Sequence, residues 1–164
     1  MIRAYFGLGS NVGDSERLLA GAVSRLRELL GSARVSSIYR TAPRYLLDQP
    51  DFLNLVVAGD TDLGPMDLLE RTQAIETEFG RDRSKERHKG PRTLDIDILL
   101  HGSTTMQSSA LTLPHPGIAE RAFVLVPLLE LEPDLRHPVS GVLLSSFLES
   151  VGGQGIYLHA KAPL

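Results

Sequence analysis

The chain has 164 residues, 42% hydrophobic and 23% charged, which predicts one globular domain spanning residues 1–164. A net charge of −3 argues against a general nucleic-acid-binding protein, and the lack of cysteine excludes disulfides and cysteine-ligated metal. No apolar run reaches the roughly 18 residues of a membrane span, and the N-terminus has the pattern of a strand rather than of a signal peptide. We therefore expect a cytoplasmic monomer that binds neither nucleic acid nor membrane.

The first half of the chain is predicted to alternate strands and helices. A strand over 2–8 is followed by a helix over about 14–30, whose apolar stripe has helical spacing and which Gly31 is expected to cap. Further strands are predicted over 35–40 and 52–60. The connection between these two strands is long and carries two prolines, and such connections are often functional.

The second half is predicted to be less regular. A helix from Pro65 to Gly80 precedes a basic loop over 81–92 and a strand over 94–100, which we expect to be central in a sheet. The later segments are a polar loop over 101–110, a short extended piece over 111–116, a helical turn over 118–123, an apolar run over 124–129 and a short helix over 143–150. Because the connections are irregular, the pattern favours an α+β sandwich with a mainly antiparallel sheet over a doubly wound fold.

Two aspartates alternate with aliphatic residues in the strand over 94–100. Since strand side chains have period two, Asp95 and Asp97 share one face, and Leu94, Ile96 and Ile98 share the other. The simplest explanation is a solvated polar face. However, aspartate is depleted in strands, and two carboxylates on a buried strand repel unless a cation compensates them. The pattern therefore favours a site for Mg²⁺, which prefers oxygen ligands.

Six basic side chains precede this strand between Arg81 and Arg92. A charge run is often only a solvated surface. Beside the paired carboxylates, however, it supplies the second half of a nucleotide-phosphate site. Arg92 adjoins the strand and is the best candidate for a bidentate phosphate contact.

Three other features leave alternatives open. The glycine-rich stretch over 7–13 matches neither the dinucleotide fingerprint nor the Walker A loop, so it is either a tight turn or a ligand-contacting loop. His115 is either an ordinary surface or core histidine or a phosphate contact. Aromatic residues such as Phe52 and Phe123 are either core residues or platforms for a flat ring.

The motifs together resemble one family. The run Gly90-Pro91-Arg92-Thr93-Leu94-Asp95-Ile96-Asp97-Ile98-Leu99 closely resembles the signature of the 6-hydroxymethyl-7,8-dihydropterin pyrophosphokinases. The resemblance extends over most of the chain, through Gly9-Ser10-Asn11, Tyr39-Arg40-Thr41, Asp48 to Asn54, Leu113 to Pro116, and Arg121-Ala122-Phe123. It implies a ferredoxin-like α/β/α sandwich. It also implies transfer of pyrophosphate from ATP to the hydroxyl of 6-hydroxymethyl-7,8-dihydropterin, releasing AMP in folate biosynthesis, with two Mg²⁺ ions.

The resemblance also assigns residues. Asp95 and Asp97 would bind the metal and, with Arg83 and Arg92, form the catalytic set. Besides these two arginines, the residues assigned to ATP are Gln73, Glu76, Ile98, Thr112, His115 and Arg121. The residues assigned to the pterin are Thr41, Ala42, Arg44, Phe52, Asn54 and Phe123, the two phenylalanines enclosing its ring. The chain departs from the family pattern where Lys89 stands in place of a frequent tryptophan.

Two other functions fit parts of the pattern. A Mg²⁺-dependent phosphohydrolase could use the same aspartates, but would not need Asn54 and stacking aromatics in the same cleft. A ferredoxin-like RNA-binding module would need exposed aromatics on a basic sheet, where this chain has the acidic pair.

Overall fold

A computed structural model describes residues 1–42, 50–81 and 94–163. Its strands are β1 Ile2–Ser10, β2 Gly31–Val35, β3 Ile38–Thr41, β4 Phe52–Thr61, β5 Asp95–His101, β6 Met106–Gln107, β7 Thr112–Leu113 and β8 Ile156–Ala160. Its helices are α1 Ser15–Leu29, α2 Pro65–Glu78 and α3 Ala122–Leu131, with 3-10 helices at Leu144–Phe147 and Glu149–Val151. No helix in these ranges is long and apolar enough to cross a membrane.

Six of the strands form one sheet in the order β5-β1-β4-β3-β8, and β2 also pairs with β4. All strand pairs in the described part are antiparallel. Helices α1 and α2 cover one face of this sheet, and α3 covers part of the other. This confirms the α+β sandwich with a mainly antiparallel sheet.

Helix α1 follows its sequence signals. The Asp14 side chain caps it by accepting from the Arg17 N–H at 3.3 Å. Four apolar residues, Leu19, Ala22, Val23 and Leu26, recur at helical spacing and are buried against the sheet. The predicted role of Gly31 is wrong, because Leu30 is already extended and Gly31 begins β2.

The predicted strand over 35–40 is two strands that lie along the same edge of β4. The break falls at Ser36 and Ser37. Ser36 exchanges hydrogen bonds with Val56 of β4, while the Ser37 N–H and the Tyr39 hydroxyl donate to Glu130 of α3. These contacts divide the strand, and they could not be foreseen from periodicity.

Strand β5 was expected to be central, which is wrong for the described sheet, where it pairs with β1 alone. Its apolar end is nevertheless buried, because helices pack on both faces and the following segment covers the edge. The His115 N–H donates to the Leu99 carbonyl at 2.9 Å. A covered edge strand therefore has the same hydrophobic pattern as a central one.

Two segments near the C-terminus also differ from the predictions. The apolar run over 124–129 lies in α3 despite the internal Pro127, because burial of seven of the ten residues outweighs the lost hydrogen bond. Beyond the 3-10 helices, Ile156–Ala160 forms an unpredicted strand that pairs with β3. Both elements are fixed by tertiary contacts.

Candidate active site

In the part of the chain that the structure describes, helix α3 packs on one half of its sheet face, and the half beyond α3 is called the uncovered half. Under it lie Tyr5, Val56, Ala58 and Leu99, which belong to one buried cluster. Towards the other end of the same strands, Gly9 of β1 pairs with Asn54 of β4 on one side and with Asp95 of β5 on the other. Since paired residues of antiparallel strands face the same way, this uncovered half carries Asn54 and Asp95 on one surface.

A cleft of about 340 Å³ opens on the β5 side of this surface. Its lining includes six of the predicted site residues: Gln73, Asp95, Asp97, Ile98, Thr112 and His115. Ala110 and Pro116 also line it. The structure thus brings together side chains from α2, β5, β7 and the segment after β7.

The acidic pair is half-buried and accessible from the cleft. The Asp95 and Asp97 side chains are 28% and 38% exposed, whereas Leu94, Ile96 and Ile98 are buried on the other face, so the predicted alternation is confirmed. In the described part no group of three or more acidic, histidine or cysteine side chains could hold a metal. Two carboxylates fit Mg²⁺ all the same, because this ion commonly takes one or two carboxylates and fills its shell with phosphate oxygens and water.

A buried arginine, Arg81, contacts one member of the acidic pair. Arg81 Nη1 lies 2.8 Å from both Asp95 Oδ1 and Glu76 Oε2, and it donates to the Leu94 carbonyl. The Glu76 side chain is only 2% exposed and accepts from the Ile96 N–H at 2.8 Å. Glu76 therefore holds the backbone between the two aspartates, while Gln73, one turn earlier, is exposed and lines the cleft.

Sequence reasoning placed Arg81 in the basic loop without giving it a role in the site. The available signal was its position immediately after Gly80, at the predicted boundary between the helix and the basic loop. Its side chain is 5% exposed. A buried arginine normally needs compensating carboxylates, and here one of the two is the predicted metal ligand.

His115 has a defined orientation in the cleft. Its Nδ1 accepts from the Gly117 N–H at 3.0 Å, so the proton of the neutral ring is on Nε2, which lies 3.9 Å from Asp97 Oδ2. Burial lowers the His115 pKa, the charge of Arg121 lowers it further, and Asp95 partly opposes both. The ring is therefore a neutral donor beside the acidic pair.

Arg121 and Phe123 stand together at the start of α3. Arg121 is the N-cap residue, and its guanidinium lies 5.7 Å from the centroid of the Phe123 ring, within cation–π range. Gly117 allows this placement, because a Cβ there would come within 2.7 Å of Arg121 Nε. The Phe123 ring also packs against the buried cluster on the α3 side of the sheet.

Four of the residues predicted to bind the pterin, Thr41, Ala42, Phe52 and Asn54, lie at the end of β3 and the start of β4. The Asn54 Nδ2 donates to Thr41 Oγ1 at 2.9 Å, and both side chains are buried. A Cβ on Gly9 would lie 3.1 Å from Asn54 Oδ1 and 3.9 Å from the Phe52 ring. Ala42 follows Thr41 and is exposed. Glycine therefore leaves space in front of the Asn54 amide and the Phe52 ring.

Three assigned residues, Arg44, Arg83 and Arg92, lie outside the described residues, as does Lys89. Their roles stay predictions. Among the described residues, Asn54 shares one surface with the acidic pair, but neither Asn54 nor a phenylalanine lines the cleft at Asp95.

Comparison with known proteins identifies the family. Residues 5–133 match the model of the 7,8-dihydro-6-hydroxymethylpterin-pyrophosphokinase family. The chain is 50% identical over 137 residues to the 2-amino-4-hydroxy-6-hydroxymethyldihydropteridine pyrophosphokinase of Methylorubrum extorquens, covering 82% of this chain and 85% of the relative. It is 48% identical over 130 residues to the protein of that name from Bacillus subtilis, covering 78% and 77%.

Longer proteins contain a similar part. The folic acid synthesis protein fol1 of Schizosaccharomyces pombe is 43% identical over 160 residues, which is 96% of this chain but 22% of the fungal protein. A Plasmodium falciparum HPPK-DHPS structure, at 15% identity, shares the fold with a TM-score of 0.74 over 91% of this chain and 45% of its own. The chain thus spans about a fifth of the one and under half of the other.

The family match covers most of the chain, and the bacterial relatives match over most of their own length. The chain therefore belongs to the 7,8-dihydro-6-hydroxymethylpterin-pyrophosphokinase family, the enzymes that transfer pyrophosphate from ATP to hydroxymethyldihydropterin in folate synthesis.

Proposed function

We propose that Asp95 and Asp97 bind the Mg²⁺ with which this pyrophosphokinase transfers the pyrophosphoryl group of ATP to the hydroxyl of 6-hydroxymethyl-7,8-dihydropterin, with AMP as the second product. The observation that carries the proposal is the strand register. Gly9 has Asn54 on one side and Asp95 on the other, so a pterin bound at Asn54 has its hydroxymethyl group near phosphates bound at the acidic pair.

The chemistry of the donor set supports the metal. Carboxylate oxygens from two residues leave room for phosphate oxygens, and two ions can share Asp95 and Asp97. When bound, Mg²⁺ neutralises charge on the phosphates and favours in-line displacement. The protein's own contribution is the fixed spacing of the two carboxylates along β5, with Arg81 and Glu76 behind them.

The other side chains of the cleft bind and orient ATP. His115 presents its Nε2–H beside Asp97, where it donates to a phosphate oxygen. Arg121 adds a fixed positive charge, and Gln73, Ile98 and Thr112 line the part of the cleft that we assign to the nucleotide. Arg83 and Arg92 complete the predicted phosphate contacts. Glu76 is assigned a positioning role through Arg81 and Ile96, because its carboxylate is buried.

The pterin is held by the opposite wall. The Asn54 amide hydrogen-bonds the ring edge, the Thr41–Ala42 backbone and Arg44 are the further predicted contacts, and the faces of Phe52 and Phe123 enclose the ring. Transfer to an alcohol needs little covalent help from protein, so alignment of the hydroxyl with the leaving AMP oxygen is the main requirement. Two rigidly placed walls meet that requirement.

The remaining expectations are proposals of the same kind. Residues 1–164 form one pyrophosphokinase domain that works as a cytoplasmic monomer on ATP and the dihydropterin, without nucleic acid or membrane. The six-stranded sheet, to which both ends of the described chain contribute strands, supports the single domain.

A product assay tests the proposal. Purified protein is mixed with ATP, Mg²⁺ and 6-hydroxymethyl-7,8-dihydropterin, and the phosphorus products are followed by ³¹P NMR. We expect AMP and the pterin pyrophosphate in equal amounts, and no transfer when EDTA removes the metal. Formation of ADP or inorganic phosphate, or transfer that survives EDTA, would contradict the proposal.

A further inference from the structure

We infer that Gln154, in the C-terminal segment, is a positioning residue for the pterin-facing walls of the site. The inference rests on the proposed function, because it takes Arg121, Phe123 and Asn54 as substrate contacts. It concerns a residue beyond 5–133, the part that the family model matches.

The Gln154 side chain clamps the backbone on both sides of Arg121. Its Oε1 accepts from the Ala122 N–H at 2.9 Å, and its Nε2 donates to the Glu120 carbonyl at 2.8 Å. Helix α3 has no capping side chain of its own at Arg121. The first N–H groups of a helix are normally satisfied by a local capping side chain. Here the side-chain amide of Gln154, from a distant part of the chain, takes that role.

The same segment reaches the other wall two residues later. Ile156 begins β8 and pairs with Thr41 of β3, whose hydroxyl accepts from Asn54. The Ile156 side chain also packs against the buried cluster that Phe123 adjoins. Residues 154–156 thus connect the start of α3, with Arg121 and Phe123, to the end of β3, with Thr41.

The placement of Gln154 indicates positioning rather than core stability. Gln154 is exposed and belongs to neither hydrophobic cluster, so its loss leaves no cavity. Its two hydrogen bonds fix the backbone direction at Arg121, and through it the orientation of Phe123, which we assign to the pterin. Substrate enclosure depends on such angles more steeply than global stability does.

The test compares two substitutions at this position with a matched control. Gln154→Met keeps the length of the side chain and removes both hydrogen bonds, whereas Gln154→Glu keeps only the acceptor for the Ala122 N–H. Ser150→Ala is the control, because the Ser150 hydroxyl bonds the Phe147 carbonyl in the same segment without contacting residues 120–122. Pterin affinity is measured by calorimetry with Mg²⁺ and a non-hydrolysable ATP analogue, alongside Ala122 amide exchange and unfolding in urea.

We expect Gln154→Met to weaken pterin binding about fivefold, the equivalent of one ordinary hydrogen bond, and to accelerate Ala122 amide exchange. Gln154→Glu should retain Ala122 protection and weaken pterin binding less. Ser150→Ala should shift the unfolding midpoint as much as Gln154→Met and leave pterin affinity unchanged.

Two results would overturn the inference alone: wild-type pterin affinity in Gln154→Met, or an equal loss of affinity in Ser150→Ala. A wild-type protein that binds no pterin at all would instead overturn the proposed function, and the inference with it. The wild-type titration therefore separates the two failures.

Discussion

The two halves of the α3-side sheet face are built from the same strands and do different work. At one end, Tyr5, Val56, Ala58 and Leu99 lie under α3 and form core. At the other, Asn54 and Asp95 flank Gly9 beyond the reach of the helix. Strand alternation alone places both sets of residues on the same face of the sheet. The difference between the two halves is therefore set by how far α3 extends over that face.

A small domain can in this way hold a charged site beside its core. The half beyond α3 carries polar side chains with partners in the described chain, Asn54 with Thr41 and Asp95 with Arg81, and they rest on strands whose opposite face is packed by α1 and α2. The site therefore rests directly on a packed core, whose Ile96 and Ile98 also line the cleft. Changes in the uncovered half should affect ligands, and changes in the covered half should affect stability.

The largest expected effect is on catalysis. Asp95→Ala and Asp97→Ala should each lower AMP formation about 10²–10³-fold, the usual consequence of removing one preorganised electrostatic group. Asp97→Ala should still unfold cooperatively in urea, because its side chain is 38% exposed and its truncation leaves little cavity. Asp60→Asn, at the far end of β4, is the acidic control and should retain full activity. Normal rates of AMP formation in both alanine variants would contradict the assignment of Asp95 and Asp97 to the metal.

The next effect is on stability in the covered half. Leu128→Ala should reduce the free energy of unfolding by about 2–5 kcal/mol, because Leu128 is fully buried in α3 and its truncation leaves a cavity. The measurement is urea denaturation followed by circular dichroism. The fraction of Leu128→Ala that remains folded should bind the ATP analogue normally. A loss of ATP binding without a loss of stability would contradict the distinction between the two halves.

A smaller effect is expected at the pterin wall. Gly9→Ala should weaken pterin binding about tenfold, since overpacking costs ~1–3 kcal/mol and the new methyl group meets Asn54 Oδ1 at 3.1 Å. Gly7→Ala is the matched control, because there the methyl meets only the Leu99 side chain at 3.5 Å, an ordinary contact. Equal pterin affinities by calorimetry for the two variants would show that the space at Gly9 is not used.

The smallest effect concerns pH. Burial and the Arg121 charge lower the His115 pKa below its ordinary value of 6.5. The unfolded chain therefore binds a proton more readily than the folded one, so stability is complete above 6.5 and falls as the pH drops below it. Urea unfolding between pH 7 and 5 should show a steeper loss for wild type than for His115→Gln, and parallel profiles would contradict this.

Much of the site could be predicted from the sequence, and the failures have physical causes. The alternation of Asp95 and Asp97 follows from strand geometry, so their shared face was predictable. The edge position of β5 was not, because the segment at His115 buries that edge and makes its hydrophobic pattern resemble a central strand. Local patterns also do not encode the pairing of Arg81 with Asp95 or the reach of Gln154 to α3.

The location of the metal tests the account most directly. Mn²⁺ can replace Mg²⁺ in the presence of the ATP analogue, and its paramagnetism broadens the NMR signals of nearby amides. Gly9 lies beside Asp95, and Arg3 lies beside Asp60 and Glu132. Because a strand rises about 3.4 Å per residue, Gly9 and Arg3 of β1 are about 20 Å apart. We predict loss of the Gly7 and Gly9 signals while Arg3 keeps its own. Preferential broadening at Arg3, which lies beside Asp60 and Glu132, would contradict the account.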